Sequence, residues 1–283
     1  MIKNNKISVL DIAGKKNAGE KITMMTAYDF PGASVVDESG ADIILVGDSL
    51  AMTVLGHPDT VSVTMDEMLH HCKAVSRGAK RAFLVGDMPF LSYQADHAEA
   101  IRNAGRFLKE AHIDAVKVEG GGETIEAVKA IVSAGILVMG HLGLTPQTAT
   151  QLGGYKVQGK TAKIAGQLLK DALALEAAGC FSIVLEMVPA SIAKIISEKL
   201  SIPTIGIGAG GGCDGQVLVF HDILGLYEGF VPKFVKQYAE LRPSILSAMK
   251  QYCADVRAGE FPGPEHQFKI DESELAQFIR EIE

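Results

Sequence analysis

Ala115-Val-Lys-Val-Glu119 sets a lysine and a glutamate two residues apart in an otherwise apolar run, and three glycines, Gly120 to Gly122, follow. Side chains alternate along a strand, so Lys117 and Glu119 share one face while Val116 and Val118 share the other. A helix-like segment begins at Glu123. Strand, loop and helix in that order belong to a parallel sheet covered by helices, and such strands are usually apolar on both faces. A charge buried there needs a partner. Two readings of the pair compete: a structural ion pair or wet edge strand, and a lysine and carboxylate held for chemistry.

Similar residues recur where other strand-like runs stop. Ala41 to Val46 runs into Gly47-Asp48-Ser49, and Ala82 to Val85 into Gly86-Asp87. Ile136 to Met139 leads to Gly140-His141, and Phe181 to Leu185 ends at Glu186. Any one of these can be a satisfied buried polar group; their recurrence at equivalent points indicates a site. Asp48, Asp87 and Glu119 offer only carboxylate oxygens. Three like charges facing one another raise one another's pKa unless a cation sits between them. Hard oxygen ligands without cysteine suit Mg²⁺. His141 nearby leaves Zn²⁺, Mn²⁺ or Co²⁺ open, and salt bridges to arginine are the competing reading, although Arg is sparse in these turns.

A metal with open positions beside a lysine suits a bidentate α-keto acid, whose keto oxygen a Lewis acid polarises. Lys117 then faces the substrate's carboxylate or carbonyl oxygen; a Schiff base on Lys117 is the sharper alternative. Glu186 lies between Ile183-Val-Leu185 and Met187-Val-Pro189. Apolar surroundings raise a carboxylate's pKa, which suits a general base. Its competing reading is a charge at the start of a helix over 190–200.

The elements that must position these residues follow from the same pattern. Residues 1–20 form an N-terminal arm or helix carrying Ile7, Leu10 and Ile12. Strands are predicted over 22–28, 41–46, 82–85, 115–119, 136–139, 181–185, 204–207 and 217–220. Helices are predicted over 29–36, 64–79, 94–110, 123–134, 160–178 and 190–200. Thr64 with Glu67 three residues on has capping-box spacing. Segments 50–64 and 142–159 read as irregular, and helices with the coil Phe261-Pro-Gly-Pro264 form a C-terminal extension. Eight strands alternating with helices predict a single (β/α)₈ TIM-type barrel over 1–283. An open doubly wound sheet is the alternative, but its glycine fingerprint belongs after an early strand, and the nearest match, Gly206-Ile-Gly-Ala-Gly-Gly211, is late. Gly208 to Gly212 can bind a phosphate through backbone N–H groups. Without a following lysine of P-loop type, a tight turn or close approach is the preferred reading. His70-His71 reads as structural.

The 283 residues are 47% hydrophobic and 22% charged, with a net charge of −7 and no basic block, which disfavours a nucleic-acid partner. Cys72, Cys180, Cys213 and Cys253 are too scattered for a zinc cluster or disulfide framework. No apolar run reaches the ~18 residues of a membrane span, and the N-terminus lacks a signal-peptide core. A soluble cytoplasmic protein, with no membrane partner, is expected.

The residues reached so far, with their neighbours, resemble the ketopantoate hydroxymethyltransferase family. The matching motifs are Met25-Thr-Ala-Tyr-Asp29, Val46-Gly-Asp-Ser-Leu50, Leu55-Gly56 with Val63-Thr64, Gly86-Asp-Met-Pro-Phe90 and Val116-Lys-Val-Glu-Gly120. Met139-Gly-His-Leu-Gly-Leu-Thr-Pro-Gln147, Leu185-Glu186, Gly206-Ile-Gly-Ala-Gly210, Asp214-Gly-Gln216, Phe261-Pro262 and Glu265-His266 continue the series. Gly211-Gly-Cys213 departs from the more polar residues of the family's loop. The resemblance implies a (β/α)₈ barrel of the phosphoenolpyruvate mutase/isocitrate lyase superfamily. It implies transfer of a hydroxymethyl group from the co-substrate 5,10-methylenetetrahydrofolate to 3-methyl-2-oxobutanoate. The product is 2-dehydropantoate, in the first committed step of pantothenate biosynthesis, through a Mg²⁺-stabilised enolate and an aldol-type addition. It implies one Mg²⁺ per subunit on Asp48, Asp87 and Glu119. It places substrate on Asp48, Ser49, Asp87 and Lys117, makes Glu186 the proton acceptor and sets His141 near the substrate. It implies a homodecamer, a pentamer of dimers. Two rivals remain: a carbon–carbon lyase acting on a 2-oxo acid, and a non-catalytic binding protein.

Overall fold

The computed structural model describes residues 6–151, 153–227 and 231–283. Residues 1–5 of the expected N-terminal arm and Leu152 of the 142–159 segment lie outside the described residues. The chain runs α1 (Val9–Ala18), β1 (Ile22–Thr26), α2 (Phe30–Glu38), β2 (Ile43–Val46), α3 (Leu50–Thr53), α4 (Met65–Gly78), β3 (Phe83–Asp87) and α5 (His97–Ala111). It continues through β4 (Ala115–Glu119), α6 (Thr124–Ser133), β5 (Leu137–Gly143), α7 (Ala162–Ala177), β6 (Ser182–Glu186), α8 (Ala190–Lys199), β7 (Thr204–Ile207) and β8 (Gly215–Leu218). Helices α9 (Phe220–Ile223), α10 (Leu241–Ala258) and α11 (Glu272–Ile282) complete it. Each strand pairs in parallel with the next, and β1 pairs with β8, closing the barrel. The predicted barrel, the arm and the C-terminal helices are all present.

Strand alternation divides the core in two. Ile44, Val46, Leu84, Val116, Val118, Val138, Ile183 and Leu185 face outward into the shell packed by the helices. Ile22, Ile43, Phe83, Val85, Ala115, Met139, Val184 and Ile205 fill the interior. Lys117 and Glu119 follow Ala115 at two-residue steps and therefore point inward. Ile12 of α1, fully buried, packs into the interior cluster beside the first residues of β1, β2 and β3, so the N-terminal helix plugs the bottom of the barrel. Burying a side chain of that size is worth about 1.5–3 kcal/mol.

The helix expected from Thr64 forms because both halves of the capping box close. The Glu67 N–H donates to Thr64 Oγ1 at 3.3 Å and the Thr64 N–H to Glu67 Oε2 at 2.8 Å. Three expectations need correction. Strand β5 does not stop at Met139 but runs to Gly143, because Leu142 and Gly143 pair with Leu185 and Glu186 of β6. Segment 50–64 is not wholly irregular; it opens with the single turn of α3, stacked directly on the end of β2. The last strand begins at Gly215, not Val217, since Gly215 and Gln216 pair with Ile22 and Thr23, and Phe220 already starts a helix. Helices α10 and α11 leave Ile245, Leu246, Met249, Leu275, Phe278 and Ile282 exposed. No described helix is long and apolar enough to cross a membrane.

Candidate active site

Parallel pairing alone assembles most of the site. Across β3 and β4, Asp87 is paired with Lys117; across β4 and β5, Glu119 is paired with His141. Asp48 and Ser49 follow β2, and Glu186 ends β6 beside Gly143. Gly143 has φ +98°, and a Cβ there would strike the Glu186 carbonyl, so glycine is required for the two strand ends to close together. All seven predicted site residues line one cavity of about 430 Å³ at the carboxyl ends of the strands, the place such barrels use.

The polar contacts form a continuous chain. Lys117 Nζ lies 2.7 Å from Asp87 Oδ1, 3.5 Å from Glu119 Oε1 and 3.2 Å from His141 Nδ1. His141 Nδ1 is 3.1 Å from Glu119 Oε1, and its Nε2 faces Glu186 Oε2 at 3.3 Å. The Asp48 N–H donates to Asp87 Oδ2 at 3.0 Å. Ser49 Oγ is 2.9 Å from the hydroxyl of Tyr28, a phenol that burial pushes up to about 12. Asp48, Asp87, Lys117, Glu119 and His141 are all buried, whereas the Glu186 side chain is 16% exposed and so borders the open part of the cavity.

Three buried carboxyls face one ammonium and one imidazole. Burial raises the Asp48 carboxyl well above its ordinary range, and Asp87 and Glu119 raise it further. Burial also raises Asp87, against the pull of Lys117. Burial works against the charge on Glu119 too, but Lys117 and His141 overcome it and hold that carboxyl low. Burial disfavours the Lys117 ammonium, yet Asp87, Glu119 and Asp48 outweigh it and hold the group charged. Burial and Lys117 push the His141 imidazole down, yet Glu119 and Glu186 outweigh them and hold it at about 9.

A divalent cation fits this chemistry. Three hard oxygen donors share the cavity, and the lysine alone leaves Asp48 and Asp87 above their normal range. Asp87 Oδ1 is buried with no aligned hydrogen-bond donor, its contact with Lys117 being a charge pair. Among the described residues no three His, Cys, Asp or Glu side chains converge as a finished coordination sphere; the Lys117 ammonium bridges Asp87 and Glu119 instead.

The sequence decides the kinship. Residues 6–264 match the family model described as ketopantoate hydroxymethyltransferase. The chain belongs to the ketopantoate hydroxymethyltransferase family. It is 60% identical over 267 residues to the 3-methyl-2-oxobutanoate hydroxymethyltransferase of Heliobacterium modesticaldum, covering 94% of this chain and 97% of that one. It is 58% identical over 270 residues to the enzyme of the same name from Syntrophobacter fumaroxidans, covering 95% of each. Among solved structures, the fold is similar to phosphonopyruvate hydrolase complexed with oxalate and Mg²⁺, with TM-score 0.61 and 12% identity over 100% of this chain and 97% of that one. It is also similar to 2,3-dimethylmalate lyase, a phosphoenolpyruvate mutase/isocitrate lyase superfamily member, with TM-score 0.57 and 14% identity over 97% and 99%. These two likenesses concern the fold alone.

Residues with no formal charge at neutral pH escape a reading built on ionisable groups. Gln147 bonds the Asp48 and Glu119 carboxylates from behind, Tyr93 holds Gln147 and the Glu119 main chain, and Tyr28 holds Ser49; none of the three has a charge or a periodicity to mark it. Segments 50–64 and 142–159 both reach the cavity, through Met52 and Thr60 and through Pro146 and Tyr155. Val219, Asp222, Tyr227, Pro232 and Phe234 also line it, and no sequence pattern marks them for that place. Gly208, Gly210 and Gly212 serve close packing. A Cβ at Gly208 would meet the Phe234 ring at 2.8 Å, and one at Gly210 would meet Ala190 of α8 at 2.5 Å. His71 is structural as expected, its Nδ1 2.6 Å from the Tyr28 carbonyl oxygen.

Proposed function

We propose that this chain transfers a hydroxymethyl group from 5,10-methylenetetrahydrofolate to 3-methyl-2-oxobutanoate, giving 2-dehydropantoate and tetrahydrofolate. The observation that carries the reading is the meeting of Asp48, Asp87, Glu119 and Lys117 with Glu186 in one cavity of a chain that belongs to this family. Asp48, Asp87 and Glu119 would hold Mg²⁺, one per subunit. When bound it supplies Lewis-acid polarisation of the keto oxygen and acidifies the C3 proton.

The rest falls to the chain's own side chains. Lys117 offsets the negative charge of the keto acid, and Ser49 donates to it from a hydroxyl anchored by Tyr28. Glu186 accepts the C3 proton; it is the carboxylate with open access to the cavity, and His141 Nε2, 3.3 Å away, keeps it in place. The resulting C3 nucleophile bonds to the methylene carbon of the donor, whose two C–N bonds break; water supplies the hydroxyl oxygen, and the C3 proton and one water proton end on the two nitrogens of the departing tetrahydrofolate. Met52, Thr60, Pro146 and Tyr155, with Asp222, Tyr227 and Phe234, supply the walls against which the folate would rest. The exposed apolar faces of α10 and α11 support an oligomer, for which family resemblance favours a homodecamer in the cytoplasm; sedimentation velocity reads this directly.

The deciding experiment is formation of 2-dehydropantoate from 3-methyl-2-oxobutanoate by the purified chain with and without 5,10-methylenetetrahydrofolate. Product only with the folate is expected. Cleavage of a 2-oxo acid without folate would instead make the chain a lyase, and stabilisation by keto acid and Mg²⁺ without any turnover would make it a binding protein.

A further inference from the structure

Gln147 and Tyr93 line no part of the cavity, yet both are buried beneath it, Gln147 4% and Tyr93 1% exposed. Gln147 sits in the single 3₁₀ turn Pro146–Thr148 after β5, and Tyr93 in the loop after β3. The Gln147 N–H donates to Glu119 Oε2 at 3.1 Å. Its Nε2 donates to Asp48 Oδ2 and to the Met88 carbonyl, both at 3.0 Å. A backbone carbonyl can only accept, so the amide nitrogen must face that side and Oε1 the other. There Oε1 accepts from the Tyr93 hydroxyl at 2.8 Å, and the same hydroxyl oxygen accepts the Glu119 N–H at 3.2 Å. The ring is closed: both N–H donors and the acceptor of the amide are used.

This arrangement divides the oxygens of two carboxylates that come from distant parts of the chain. Oδ2 of Asp48 and Oε2 of Glu119 are tied back to Gln147. Asp48 Oδ1 is left to the cavity that Asp48 lines, and Glu119 Oε1 to the Lys117 and His141 side. A side chain with one oxygen fixed cannot turn freely, and such outer partners hold a ligand's orientation and basicity. We propose that Gln147, locked by Tyr93, is a positioning residue that presents one oxygen each of Asp48 and Glu119 at a fixed separation and thereby sets the affinity of the site for a hard divalent cation. The proposal rests on the metal reading of the three carboxylates given above. The competing role is a structural latch that ties the loops after β3 and β5 to the barrel. A latch would show in the stability of the metal-free protein and not in cation affinity.

The test uses the full-length protein and Mg²⁺ alone, titrated by calorimetry without keto acid, together with melting of the metal-free form. Gln147→Met keeps an unbranched side chain and the backbone N–H to Glu119 but removes the amide. It is expected to raise the Mg²⁺ dissociation constant on the order of 10- to 100-fold, with turnover recovered at high Mg²⁺. Tyr93→Phe leaves the amide in place without its lock and is expected to raise the constant less. Parent-like Mg²⁺ affinity in Gln147→Met, whatever its melting temperature, overturns the proposal. If that variant does not fold, unchanged affinity in Tyr93→Phe overturns it equally. A parent protein that binds no Mg²⁺ sinks the metal reading and this proposal with it, whereas a binding parent with an indifferent Gln147→Met sinks the proposal alone.

Discussion

His141 and Glu186 face each other across β5 and β6, with Nε2 3.3 Å from Oε2, and this contact joins the buried charge cluster to the open cavity. Glu119 and Lys117 hold the far side of the same imidazole. Glu186 therefore has one oxygen steadied by a neighbour and access to a bound ligand, as a proton acceptor requires. The expected outcome for Glu186→Gln is retained binding of 3-methyl-2-oxobutanoate with loss of C3 proton exchange in deuterated water. General-base catalysis typically contributes about 10²- to 10⁴-fold, so turnover should fall within that range. Exchange at the parent rate would remove Glu186 from the role.

Lys117 is the lysine that bridges the carboxylate cluster, at 2.7 Å from Asp87 and 3.5 Å from Glu119. Lys117→Met would leave those charges buried without it, a change that costs about 3–5 kcal/mol where one partner of a buried pair is removed. The pH dependence follows from sign. Burial holds the folded Asp87 and Asp48 carboxyls above their ordinary range while Lys117 pulls both down, so losing the lysine raises them further. A carboxyl raised on folding binds more protons in the folded state, and stability then increases as pH falls toward the unfolded value. The gap in stability between variant and parent should narrow on acidification above the ordinary carboxylate range. Mg²⁺ should raise the melting temperature of the variant more than that of the parent, because the cation replaces the missing charge. A gap that widens with acid would contradict this account of the cluster.

Much of the site is legible in the sequence because charge stands out in apolar strands. Asp87, Lys117 and Glu119 interrupt runs of valine and leucine, and the two-residue step between Lys117 and Glu119 fixes a shared face by strand alternation alone. Thr64 with Glu67 marks a helix start to the residue. Gln147 does not stand out by the same logic, since a neutral amide in a loop has no charge to mark it even where it closes a family motif, and its role depends on partners as far away in the chain as Asp48, 99 positions before it. The end of β5 does not show in its own residues, because pairing with β6 sets it and not their hydrophobicity. Ile12 reads as one apolar residue of an N-terminal arm or helix; its place in the barrel floor does not show, because its neighbours there come from strands distant in the chain.

The capping box at Thr64 gives a prediction remote from the cavity floor. Thr64 donates both its N–H and its hydroxyl to Glu67, each at 2.8 Å, and these bonds hold the Glu67 carboxyl below its ordinary range. Thr64→Ala removes the side-chain half and should cost about 1 kcal/mol by urea denaturation at neutral pH. A carboxyl lowered on folding contributes stability above its unfolded value and loses it as pH falls through the folded value. The penalty of Thr64→Ala should accordingly shrink once Glu67 is protonated. A penalty independent of pH would mean that the bond from the Thr64 hydroxyl to the Glu67 carboxylate adds nothing to the cap.

Ile12 tests whether the barrel floor and the active face are separable. Its side chain is fully buried among the strand residues at the N-terminal end of the interior, and Asp48, Lys117 and Glu186 stand at the opposite, carboxyl end. Ile12→Ala leaves a cavity that the rigid strands cannot collapse to fill, and such truncations cost about 2–5 kcal/mol. The urea midpoint should fall accordingly, while the KM for the keto acid stays at the parent value. That split is expected because interior layers of Val85, Ala115, Met139 and Val184 separate the plug from the carboxylates. A change in KM without a loss of stability would show that the floor is coupled to the site through those layers, and the division of the barrel into a structural end and a reactive end would fail.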